Sequence, residues 1–207
     1  MTETAPGNTT FVKWLKILLC AAIVDAVAAT LSHFSSILTF LTIWPANLTF
    51  LTTWPAALAG LVKTLVLLRL CTLNARYKKA GIFRLCALLL PLGAGIRYAG
   101  LVFSLSALVF SLLAAYQEYR GHGEMSYEKD LNLADQWFRL FEWTIILAFV
   151  IGFAGAGLNW ILGRIEMNAG LKLFLQSAVF AVPELLISVF LYIRYLRKTI
   201  RVFSENV

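Results

Sequence analysis

Four ionisable residues, Asp25, Lys63, Arg69 and Glu184, lie inside long apolar runs of this chain. In hydrocarbon such groups pair with one another, or they line a path for an ion, a proton or a polar solute. At about 1.5 Å per helical residue, Asp25 falls roughly 9 Å from the outer end of its run and Lys63 roughly 10 Å from the outer end of the next. Ala21, Ala22, Ala28 and Ala29 flank Asp25 at three and four residues, and Ala59 and Gly60 precede Lys63. Small residues let membrane helices approach closely, so an Asp25–Lys63 pair is expected. Arg69 and Glu184 each fall roughly 20 Å from the outer surface, which allows a second pair. The six residues between Lys63 and Arg69 turn the helix by about 240°, so each can face a different neighbour.

Glu184 carries the most chemical interest. It follows Pro183 directly, on a stripe with Gln176, Ser177 and Ser188. Proline has no N–H to donate, so the carbonyl of Val179 is freed near the middle of the run beside a carboxyl group. Interrupted helices of this kind line transporter sites. Arg69 lies only a few residues from the end of its run and can snorkel to the headgroups. Glu184 would then be desolvated and easily protonated, the condition for a proton-coupled site. The competing reading is a kinked helix held by two charge pairs.

Catalytic signatures are missing from the sequence. It contains no Gly-x-Ser-x-Gly elbow, no His-Glu-x-x-His helix and no phosphate-binding glycine loop, so an enzyme is not expected. Only two histidines occur, His33 and His122, both in expected loops. Cys20, Cys71 and Cys86 fall in apolar segments without metal-ligand spacing, so neither a disulfide framework, a metal site nor a cofactor follows.

The elements that hold these residues are membrane-length helices. Of 207 residues, 60% are hydrophobic and 14% charged, against roughly 45–50% and 25% in a soluble domain. The net charge of +7 resides at the ends of apolar runs, not in a stripe interleaved with aromatics, so nucleic acid is not the partner. The fold class expected is all-α, a single membrane-embedded bundle with spans at about 11–31, 56–74, 81–94, 98–116, 137–158 and 171–193. The third and fourth come from dividing 81–116 at a turn over 93–97, with Pro91 kinking the shorter half. Asp25 inside the first run argues against a cleaved signal peptide.

Thirteen of the eighteen Lys and Arg residues fall on one side of this six-span order. Arg97, Arg164 and Lys172 fall on the other. Cytoplasmic loops carry the basic excess, so both termini are expected inside, in a plasma membrane. Two segments remain. An uncharged external stretch over 33–55 repeats Thr-Phe-Leu-Thr-x-Trp-Pro-Ala at Thr39 and Thr49, and its Trp44 and Trp54 suit an interfacial loop or a re-entrant element. Residues 117–136 read as a solvated acidic connector containing His122. Function divides between a small transport or ligand-binding protein, with a small molecule or ion as ligand, and a non-catalytic subunit, assembly factor or regulator that packs against a membrane-protein partner.

Overall fold

The computed structural model describes residues 6–40, 50–93, 100–164, 172, 175 and 190–205. All its elements there are helical: α1 (Pro6–Phe40), α2 (Phe50–Leu70), α3 (Ala75–Leu89) with a 3-10 turn over Leu90–Gly93, α4 (Gly100–Tyr127), α5 (Leu131–Leu162) and α6 (Ile193–Ser204). Consecutive helices α1 to α5 pack as neighbours, and α6 packs between α1 and α5. Among the described residues, two stretches are long and apolar enough to cross a membrane, Thr9–Leu31 and Leu131–Leu162, with mean hydropathies of 2.0 and 2.2.

Several boundaries differ from the sequence reading, each for a local reason. The α2–α3 turn is tight because Asn74, extended at φ −150° and ψ 127°, accepts the Arg76 N–H on its side chain and starts α3 at Ala75. Arg76, Lys78 and Lys79 therefore belong to a helix, not a loop. Pro91 stops α3 in the 3-10 turn, where its missing N–H costs no long helical ladder. Pro55 lies inside α2, close to its N-terminus, and α1 runs on to Phe40, so the external stretch is more helical than its prolines suggest. Residues 41–49, with Trp44, Pro45 and Asn47, lie outside the described residues.

The acidic connector is the main correction. Helix α4 continues through Tyr127, and only Glu128, Lys129 and Asp130 separate it from α5. Asp130 caps the new helix by accepting the Leu133 N–H at 2.9 Å. Glu118, His122 and Ser126, at i, i+4 and i+8, form one face that is wholly buried. Gly121 and Gly123, which resemble loop punctuation, are close-approach positions. A Cβ on Gly123 would stand 2.3 Å from the Phe138 ring, and one on Gly121 3.1 Å from the Tyr77 ring.

The bundle has two zones. At the charged end the core is buried in the ordinary way, by Phe11, Leu15, Tyr77, Leu133, Trp137, Leu196 and Phe203. Towards the other end, large apolar side chains point outward: Leu58, Leu61 and Leu65 on α2, Val102, Leu105 and Leu108 on α4, and Trp143, Phe149 and Phe153 on α5. Phe153 is 76% exposed. Large exposed apolar side chains thus recur along three helices.

Candidate functional site

Lys63 and Asp25 form an ion pair between α2 and α1. The faces that carry it are the small ones: Ala21, Ala22, Ala28, Ala59 and Gly60 are all buried. Lys63 itself is 8% exposed, whereas the Asp25 side chain is about one-third open.

A second pair shares this layer. Glu118 of α4 is completely buried, and its Oε2 accepts a hydrogen bond from Nη2 of Arg84 on α3 at 3.0 Å. Its other oxygen accepts the hydroxyl of Tyr192, in the π-helical turn that leads into α6. Lys63 Nζ lies 6.0 Å from the centre of the Tyr192 ring, so Tyr192 stands between the two pairs. Helical rise explains the alignment. Lys63 is about 10 Å from the end of α2, Arg84 about 14 Å into α3 and Glu118 about 14 Å before the end of α4. Five helical segments thus contribute to one layer of balanced charge, with two cations and two carboxylates. Arg84 Nε, also buried, has no hydrogen-bond partner among the described residues.

Below this layer, one helical turn along α4, His122 sits in an aromatic box. Its ring centre is 4.6 Å from that of Trp137 and 5.2 Å from that of Tyr77. Burial, with Glu118 and Glu124 nearby, holds the Tyr77 phenol well above its ordinary range, and its hydroxyl shares a hydrogen bond of 2.9 Å with His122 Nδ1, in a direction that follows the imidazole tautomer. His122 Nε2 and Ser126 Oγ, both buried, have no hydrogen-bond partner among the described residues. Trp137 completes the box by donating Nε1–H to Thr199 of α6 at 2.9 Å. At the rim, Glu124 accepts from Asn74 at 3.1 Å and from Arg76 Nε at 2.7 Å. The chain matches no protein-family model, no curated protein and no solved structure.

Burial lowers the His122 pKa to about 4 from an ordinary 6.5, because the cation would be desolvated. The unfolded chain therefore takes up a proton before the folded one does. Stability is unaffected by this group above pH 6.5, falls as the pH drops from 6.5 towards 4, and levels off below that, a loss of roughly 3 kcal/mol. Unfolding midpoints measured between pH 7.5 and 4 should show this slope, and the double variant Tyr77→Phe with His122→Leu should flatten it. An equally steep slope in that variant would assign the effect elsewhere.

Of the residues singled out in the sequence, the structure brings Asp25 and Lys63 together. Arg69 is exposed in the last turn of α2, beside a groove of 540 Å³ lined also by Trp14, Ile17, Val62 and Leu65. Glu184, with Pro183, Gln176, Ser177 and Ser188, lies outside the described residues. Sequence reasoning missed Arg84, Glu118, Tyr192 and His122. The i, i+4, i+8 recurrence of Glu118, His122 and Ser126 was the available signal. No group of three or more metal-binding side chains occurs among the described residues.

Proposed function

We propose that this chain is a six-span integral membrane protein, with both termini in the cytosol, that binds and passes a small polar solute or ion at the layer formed by Asp25, Lys63, Arg84 and Glu118. The observation that carries the proposal is this layer itself. Four ionisable side chains from four helices meet beneath a zone whose outer surface is apolar. Packing alone needs no such layer, because a buried ion pair is at best neutral in stability against apolar replacements. The half-open Asp25 carboxylate offers an entrance, and the unpartnered Arg84 Nε offers a donor to an anionic or carbonyl group.

Helix length supports the membrane setting. Helix α5, at 32 residues, is about 48 Å long, against a hydrocarbon core of about 30 Å. Its surplus falls at the charged end, where the basic residues counted in the sequence, without Arg84 of the charged layer, support a cytosolic side. The described inner ends then form a collar in water below the apolar zone, and the sequence spacing of Glu184 makes it a further candidate for the path. A second reading rests on the mutual neutralisation of the two pairs: the layer locks a non-catalytic subunit for a membrane-protein partner.

Two measurements separate these. Single cysteines at Asn47 and Glu128, in a background without Cys20, Cys71 and Cys86, should label from opposite sides of sealed vesicles. Glu128 is exposed, whereas Gly121 packs on Tyr77 and would report poorly. Labelling from the same side would reject the span order. Thermal shift of the purified protein against a panel of small carboxylates, phosphates, amines and metal cations should find a stabilising class whose effect vanishes in Glu118→Gln. A panel without any shift favours the lock.

A further inference from the structure

A second cavity, of 270 Å³, opens between α4 and α5 where the collar meets the apolar zone. Its walls are aromatic, with Tyr116 and Tyr119 from α4 facing Trp137 and Phe141 from α5. The rings of Tyr116 and Phe141 are 4.9 Å apart between centres, and those of Tyr119 and Trp137 5.9 Å. Two charges of opposite sign stand at the opening. Glu142 is exposed and has no cationic partner among the described residues. Arg120, also exposed, stacks at 5.9 Å on the Tyr116 ring and donates to its hydroxyl at 2.8 Å, while its nearest carboxylate, Glu124, is 3.6 Å away.

We propose that this cavity holds the zwitterionic phosphocholine headgroup of a lipid in the inner leaflet, with the trimethylammonium against the partly exposed Tyr116 and Phe141 rings beside Glu142 and the phosphate on Arg120. A trimethylammonium ion cannot donate strong hydrogen bonds, so aromatic faces and a carboxylate are what recognise it. The phosphate needs a planar cation at the rim, which Arg120 supplies. A free quaternary amine would engage Glu142 but leave Arg120 without an anionic ligand, whereas the zwitterion uses both charges at the opening. Position agrees with chemistry. Tyr116 and Glu142 stand at the inner ends of the fourth and fifth spans, at headgroup depth, and the apolar wall that acyl chains would follow begins at Leu113 and Ile146. The site is separate from the charged layer, and its lipid source rests on the membrane reading above.

The test uses the full chain, purified in a maltoside detergent and titrated with short-chain phosphatidylcholine, phosphatidylethanolamine and phosphatidylglycerol, with binding read by native mass spectrometry. The expected result is about tenfold tighter binding of the choline lipid than of either other headgroup. Glu142→Gln should remove most of that preference, whereas Arg120→Gln should weaken all three lipids together because each carries the phosphate. Equal affinity for the three headgroups, or a preference that survives Glu142→Gln, would overturn the assignment. Soluble phosphocholine binding as tightly as the lipid would replace the lipid by a free zwitterion. Carbonate extraction of expressing membranes is read separately: a protein that resists extraction but lacks headgroup preference defeats this inference alone, and one that is extracted defeats the membrane reading.

Discussion

Arg84→Met is expected to destabilise the protein by roughly 3–5 kcal/mol, more than any conservative change at its surface. The cause is the group left behind. Glu118 is 0% exposed, and without Arg84 its carboxylate keeps, among the described residues, the Tyr192 hydroxyl as its one side-chain donor. The double variant Arg84→Met with Glu118→Gln should recover most of the loss, because the amide is neutral and still offers an oxygen to Tyr192. Thermal unfolding in detergent measures both. A double variant no more stable than Arg84→Met would show that Arg84 acts through its packing and not through the carboxylate.

Lys63→Met is the second large effect, with the same logic but a smaller size, because the Asp25 side chain is more than one-third exposed. It strands Asp25 on a helix whose neighbouring residues are alanines, where no other cation is in contact. Changing Asp25→Ala along with Lys63→Met removes the uncompensated charge, so the double variant should be the more stable of the two. Circular dichroism melts of the single and double variants would settle the order, and a double variant that melts lower would contradict the pairing energetics. The solute-binding proposal adds that the stable double variant binds nothing.

The Asp25–Lys63 contact was legible in the sequence because two simple quantities, depth along a helix and small residues at three- and four-residue spacing, coincide on both partners. The Arg84–Glu118 pair was not. Arg84 follows Arg76, Lys78 and Lys79, so it reads as one more cytosolic cation, yet α3 starts at Asn74's cap and carries Arg84 more than two turns inward. Glu118 and His122 were hidden by their company. Charge density and the glycines at 121 and 123 look like a loop, and only tertiary packing reveals that those glycines admit the rings of Tyr77 and Phe138. Apolar runs therefore located α1, α4 and α5 but cut them short, since a helix persists beyond its apolar stretch. Glu184 and its polar stripe still rest on sequence spacing, and Glu184→Gln, tested for altered pH dependence of solute binding, addresses that part of the path.

Whether the charged layer can be reached from water in the folded protein is answered most directly at Lys63. In a background without the native cysteines, Lys63→Cys should be destabilised, and aminoethyl methanethiosulfonate should attach a side chain that ends in an ammonium group close to the native position. A solute path predicts that the folded protein in vesicles is modified at this thiol and regains its unfolding midpoint, while the uncharged methyl reagent restores nothing. A thiol that reacts only after unfolding would contradict the path and leave the layer as a dry lock.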